Sequence, residues 1–252
     1  AHDLYIMPSS FRPSPGQAIT LGFHVGDSFP NSEVAGRIPR LVQPKLSWQG
    51  GSAPVTNLRI EGLRDLGSAT TPSAPGTLTA TVAPTPNFIE LAPDKFLSYL
   101  KHEGLDEIIA YRASHNESDK PGRERYSKYA RALLRNGAKS TPFFQQPSGL
   151  IIEIIPTADP YSLKPGDQLP VQVLFRGKPA ANLHMEASWA HGSETKSVSA
   201  GRTDANGRLT VSLPKAGLWR LHTIKMERCA DPSAADWESF WSSLTFELEN
   251  AK

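Results

Sequence analysis

The stretch Phe11-Arg12-Pro13-Ser14-Pro15-Gly16-Gln17-Ala18-Ile19-Thr20-Leu21-Gly22-Phe23-His24-Val25-Gly26 decides the fold. An aromatic residue leads into a Pro-Gly turn, after which Ile19, Leu21, Phe23 and Val25 recur at every second position. Successive side chains of an extended chain point to opposite sides, so this alternation predicts a strand with one packed face. The plan returns in the second half. Tyr161 precedes Pro165-Gly166-Asp167, and Leu169, Val171, Val173 and Phe175 alternate before Gly177. The closing strands also match: Pro75-Gly76 precedes Leu78, Ala80 and Val82, while Ala216-Gly217 precedes Trp219, Leu221 and Thr223. Two copies of one plan predict a mostly β protein of two immunoglobulin- or transthyretin-like β-sandwich domains, residues 1–147 and 148–252.

A helical insertion is expected at about 94–136, inside the first domain. Asp94 is placed to cap a helix whose stripe is Phe96, Leu97 and Leu100, ending near Gly104. Leu105, Ile108, Ile109 and Tyr111 suggest a second short helix, broken by the polar run 116–122. From Arg123 to Arg135, the residues Tyr126, Tyr129, Ala130, Leu133 and Leu134 fall on one face of a helical wheel, and Asn136-Gly137 supplies a stop. On this reading Arg125, Lys128 and Arg131 belong to a solvated helix face. Leu150–Ile155 should open the second domain as a strand, and Asp204-Ala205-Asn206-Gly207 reads as a hairpin turn rather than a calcium loop, since the closing Glu is missing.

Composition narrows the function classes. The chain has 252 residues, with 22 Pro and 19 Gly, a punctuation that suits short strands and turns. Its net charge of +2 gives no global reason to expect nucleic acid as a partner. No apolar run approaches the ~18–20 residues needed for a membrane-spanning helix. A single cysteine excludes an internal disulfide and any cysteine-rich zinc module. No Gly-x-Ser-x-Gly elbow, phosphate-binding loop, dinucleotide fingerprint or His-Glu-x-x-His string is present, so the expectation is a protein that is not an enzyme. The opening Ala1-His2-Asp3, with no initiator Met, leads us to expect an exported, periplasmic protein whose signal peptide has been removed.

Several strings together resemble a known family. They include Ala1-His2-Asp3-Leu4-Tyr5, Val25-Gly26-Asp27-Ser28-Phe29-Pro30, Pro121-Gly122-Arg123-Glu124-Arg125-Tyr126 and Ala235-Asp236-Trp237-Glu238-Ser239-Phe240-Trp241. Over nearly its whole length the chain resembles a bacterial family of uncharacterised exported proteins described as the periplasmic component of nickel/cobalt uptake systems. The resemblance implies export, binding or delivery of nickel or cobalt, and a membrane metal transporter as partner. Members of that family carry a His in a Val-His-Met string. Here Ile224-Lys225-Met226 stands at that place, with His222 three positions before Lys225.

Candidate metal ligands follow from donor chemistry. A free α-amine, the imidazole of His2 and the carboxylate of Asp3 together suit nickel or cobalt, with copper or zinc as the alternatives. His24 is the second choice, on the face of its strand opposite Leu21 and Phe23. His222 and Met226 share one side of a later strand, with Cys229 beyond them, although Met and Cys also serve as ordinary core residues. A copper monooxygenase brace would need His24 to face His2. His102, His115 and His184 read as solvated. Trp237, Phe240 and Trp241 form an aromatic cluster that either packs between domains or docks another envelope protein. The second function is accordingly a structural or adaptor module that works without metal.

Overall fold

The structure is a computed structural model that describes residues 2–250. In the first half the strands are β1 (Asp3–Pro8), β2 (Ala18–Gly26), β3 (Leu41–Trp48), β4 (Gly51–Pro54), β5 (Thr56–Glu61), β6 (Arg64–Thr70), β7 (Gly76–Pro84) and β8 (Asn87–Leu91). Helices α1 (Pro93–His102) and α2 (Asp106–Ser114) follow, and then the long strand β9 (Gly122–Asn136). The second half holds β10 (Ile152–Pro156), β11 (Gln168–Phe175), β12 (Lys178–Pro179), β13 (His184–His191), β14 (Glu194–Arg202), β15 (Arg208–Ser212), β16 (Gly217–Arg228) and β17 (Trp237–Leu248). The protein is mostly β and of sandwich type, as the alternating patterns predict.

Among the described residues the strands form three sheets. A central sheet runs β14-β13-β16-β17-β9-β7-β3-β4, with β8 also paired to β9. A four-stranded sheet, β1-β2-β6-β5, covers one of its faces, and β10, β11, β12 and β15 cover part of the other. Strand β9 shows both faces. Its Ala130, Ala132 and Leu134 pack with Leu21, Phe23 and Ile6 of the first cover. Its Tyr129 and Leu133 pack with Leu169, Val173 and Trp219 toward the second. Strands from the two halves of the chain meet where β17 runs parallel to β9, Trp237 opposite Glu124 through Thr245 opposite Ala132.

The amphipathic helix expected over 123–135 is therefore strand β9, and the helical part of the insertion is confined to α1 and α2. The physical reason is burial on both sides. A strand sandwiched between two layers carries apolar residues at odd and even positions alike, and such a run imitates a helical stripe. The basic residues scatter accordingly: Arg131 is buried and paired with Glu153 at 3.4 Å, while Arg125 is exposed on the strand. Asp94 does not cap α1, which begins two residues earlier than a cap there implies: Ala92 is the N-cap, Pro93 takes the first helical position and Asp94 lies in the first turn. The turn at Asp204 is tight, Gly207 N donating to Asp204 O at 2.9 Å. It is not a hairpin, because β14 pairs with β13 whereas β15 pairs with β11 in the other sheet.

The first cover sheet and the helices sit side by side on the same face of the central sheet. Beneath the helices, Phe96, Tyr99, Leu100 and Ile108 pack on Ile224, Met226, Trp237 and Trp241. Gly122 permits this closeness, since a Cβ there would lie 2.2 Å from Phe96 Cγ.

Candidate functional site

Strand β1 lies edge-on over the central sheet. Ser243 Oγ and Thr245 Oγ1 donate to the carbonyls of Leu4 and Ile6, at 2.7 and 2.6 Å. Its first residue anchors a buried chain of alternating charges. Asp3 Oδ2 is 3.0 Å from Arg220 Nη1, and Asp3 Oδ1 is 3.1 Å from His222 Nδ1. His222 Nε2 is 3.1 Å from Glu103 Oε2, and Arg220 Nη2 is 3.1 Å from Glu186 Oε1. Burial opposes the charge on His222, but Asp3 and the Glu103 hydrogen bond outweigh it and hold the imidazole above its usual value. Burial likewise works against Glu103, and His222 overcomes it to hold the carboxyl below its usual range. Gly104, at φ +66°, turns the chain between α1 and α2 just after Glu103.

Beside this chain opens a cavity of about 600 Å³, where the first cover sheet and the helices fail to meet. Its floor is the strip of the central sheet that carries Glu124, Tyr126, Lys128 and Trp241, and α1 supplies Lys95, Tyr99 and His102. Leu4, Val25, Ile89 and Leu91 give it apolar walls, and Arg37 and Arg40 reach it from the loop before β3. The Tyr99 and Trp241 rings lie parallel, 5.8 Å apart. Trp241 Nε1 donates to Ser239 Oγ at 3.0 Å, and Ser239 Oγ donates onward to Glu124, which also accepts from Tyr99 Oη at 3.0 Å. Burial pushes Glu124 above the usual carboxylate range despite those bonds.

Lys128 is the centre of the floor. Its ammonium donates to the His2 carbonyl and stands 4.1 Å over the Trp241 ring. Burial pushes it below the usual lysine value, against the pull of Asp3 and Glu124. Arg37, Arg40, Lys95 and Lys128 all line the cavity, and none has a carboxylate within 4.0 Å among the described residues. Arg40 Nη2 instead donates to the Thr85 carbonyl at 2.9 Å.

Of the five residues expected to ligate metal, only His2 stands in the open at the cavity wall. Its Nε2 is 3.3 Å from Glu33 Oε2 and 3.9 Å from Asp27 Oδ2. The α-amine of residue 1 lies outside the described residues. Asp3 and both nitrogens of His222 are engaged in the buried charge chain. Met226 lies in the core under the helices. His24 does occupy the face opposite Leu21 and Phe23, but that face is covered: the residue is buried, its Nδ1 is 3.1 Å from the Pro30 carbonyl and its ring is 5.5 Å from Tyr5. Its Nε2 end lies over Gly22, away from His2, so the two do not form a brace. Burial lowers it to about 4. Among the described residues no group of three or more His, Cys, Asp or Glu side chains is arranged to hold a metal ion.

The other sequence candidates scatter too. His102 is exposed at the cavity, His115 is exposed and stacked on Tyr111 at 3.8 Å, and His184 is half-buried with Nε2 2.9 Å from Ser199 Oγ rather than solvated. Cys229 is buried. The aromatic cluster is internal, Trp237 and Trp241 under the helices and Phe240 in the opposite core. Sequence reading missed Arg37, Arg40, Tyr99 and Lys128. The one available signal was a lysine set in the apolar run of β9, which the helical reading turned outward to solvent.

These features define a β-sandwich protein with a small-molecule-sized cavity between a cover sheet and a helical pair. The family described as a domain of unknown function (DUF4198) matches residues 1–227, and the chain belongs to that family. No curated protein matches it. Among solved structures it is similar to the D0-D1 domain of Intimin, with 12% identity, 98% of each chain covered and a TM-score of 0.22. It is also similar to the Escherichia coli adhesin FdeC, with 14% identity over 99% of this chain and 64% of that one, at a TM-score of 0.24. The Yersinia pseudotuberculosis adhesin InvE gives 14%, 98% and 59%, again at 0.24. Scores this low carry no argument about function.

Proposed function

We propose that this protein is a non-catalytic, periplasmic component of a metal uptake system, which binds nickel or cobalt and delivers it to a membrane transporter or another envelope protein. The observation that carries the reading is the position of His2. Its imidazole stands exposed at the cavity wall, with Nε2 3.3 Å from Glu33 Oε2 and 3.9 Å from Asp27 Oδ2, and an imidazole nitrogen suits divalent nickel and cobalt, with copper and zinc as competitors. The buried chain from Asp3 to Glu103 holds the start of β1 in place, so the imidazole is presented by a fixed strand. Glu33 is itself held by hydrogen bonds from the Ser28 and Asp27 backbone amides, which keep its carboxyl below the usual range and therefore ionised at neutral pH.

The adaptor alternative calls on the sandwich faces or the aromatic patch to dock a partner, and of these two surfaces the patch is internal, Trp237, Phe240 and Trp241 being at most 4% exposed. The test is calorimetric titration of nickel, cobalt, copper and zinc into protein with a mass-verified amino terminus, beside His2→Ala and Glu33→Gln. Binding of one ion per chain that drops at least tenfold in both variants supports the reading. Equal affinity in wild type and His2→Ala refutes it.

A further inference from the structure

We infer that the cavity takes its metal as an anionic, carboxylate-bearing organic chelate and not as the bare ion. The inference rests on the metal-binding reading above and names the cargo of the same site. Charge is the first argument. Arg37, Arg40, Lys95 and Lys128 converge on a cavity in which, among the described lining residues, the one carboxylate is Glu124, buried and spoken for by Tyr99 and Ser239, while Glu33 and Asp27 stand at its edge beside His2. A bare divalent cation is repelled by such a lining, and an anion is drawn into it. Guanidinium groups also match carboxylates by two parallel hydrogen bonds, and Arg37 and Arg40 stand on one loop, three residues apart.

Size and surface agree with this. About 600 Å³ is the scale of a small-molecule site, far more than one ion needs. The parallel Tyr99 and Trp241 rings, with Leu4 and Ile89, offer contact to the carbon skeleton of a ligand. Among the described residues Lys128 makes one hydrogen bond, to the His2 carbonyl, and an ammonium has three protons to donate. Coordination supplies the last argument. The described residues hold no set of three metal-binding side chains, so a cargo that brings most of its own donors needs from the protein a single ligand at an open position. His2 is exposed at that wall.

The test uses nickel(II) alone, citrate alone, and preformed nickel(II)–citrate and nickel(II)–nitrilotriacetate, each titrated into the whole chain, with the bound nickel counted after dialysis. Wild type should bind one chelate per chain at least tenfold more tightly than it binds nickel alone or citrate alone. Arg37→Gln/Arg40→Gln should weaken the chelate at least tenfold and leave nickel alone unchanged. His2→Ala should weaken the chelate while leaving citrate alone unchanged. Both arginines are half-buried and neither pairs with a carboxylate among the described residues, so circular dichroism should show the fold intact. Nickel bound as tightly alone as in either chelate, with no effect of the arginine changes, overturns the inference and leaves the metal reading standing. Citrate bound equally well with and without nickel, and indifferent to His2→Ala, overturns both the inference and the metal reading.

Discussion

Asp3→Asn should destabilise the protein and flatten the alkaline arm of its stability against pH. In the wild type, Asp3 touches two cations at once, Arg220 at 3.0 Å and His222 at 3.1 Å, with all three side chains buried. At an effective dielectric near 20 each contact has a Coulomb energy of about 5 kcal/mol, most of it offset by desolvation. Removing one partner of such a buried pair costs about 3–5 kcal/mol, and Asn keeps one acceptor, so about 3 kcal/mol is expected. For a chain of this size that lowers Tm by roughly 6–12 °C. The pH dependence comes from His222, whose folded value is raised above the ordinary imidazole value of about 6.5. Its contribution is complete below about pH 6.5 and is lost as pH rises through the folded value. Without Asp3 the imidazolium loses its largest support, so the fall in Tm above pH 6.5 should shrink. Thermal melts of both proteins between pH 5.5 and 9 measure this, and histidine NMR titration of the wild type checks the cause. A Tm loss below about 2 °C, or a His222 midpoint at or under 6.5, would refute the reasoning.

His24 should bend the curve the other way. Burial lowers it from the ordinary value to about 4, so the unfolded chain takes up the proton first and stability falls as pH drops from 6.5 through 4, by up to about 3 kcal/mol. The two buried histidines thus place a stability maximum near pH 6.5, and His24→Asn should cut the loss of Tm between pH 6.5 and 4.5 by half or more; an unchanged acid arm speaks against it. Gly122→Ala should cost about 1–3 kcal/mol, seen as a lower midpoint in denaturant melts, because the new Cβ falls 2.2 Å from the fully buried Phe96 ring. A midpoint equal to wild type would mean that α1 is not seated on β9 as described.

The strand patterns were legible because they are local. Ile19, Leu21, Phe23 and Val25 alternate on a strand with one apolar core beneath it, and so do Leu169, Val171 and Val173. Strand β9 was not legible, for its neighbours decide its state: β17 and β7 supply the hydrogen bonds, and the two covers the burial, that override a helical stripe. The same error hid the site. On a helix Lys128 falls with the solvated residues, whereas on β9 it shares a face with Glu124 and Tyr126 and points into the cavity. His24 illustrates the opposite limit. Its face was read correctly, but Phe29 and Pro30 cover that face, and no periodicity announces a loop that folds back over its own strand.

The cavity is a consequence of how the central sheet is roofed. A cover sheet and a pair of short helices share one face of it, and neither is wide enough to close the strip along β9 and β17 between them. Closing that gap with apolar residues would have extended the core and added stability. The strip instead carries Glu124, Lys128 and Ser239, and the loop and helix beside it add Arg37, Arg40 and Lys95. Cations that have no carboxylate partner among the described residues, brought together at a concave apolar surface, repel one another and raise the energy of the unliganded protein. An anion that enters relieves that repulsion, so binding energy is already stored in the fold before the ligand arrives. The buried Asp3–His222–Glu103 chain keeps the arrangement rigid, because it ties the start of β1, the end of α1 and β16 at one point. Loosening that tie should therefore weaken binding in the cavity even though none of its three residues lines it.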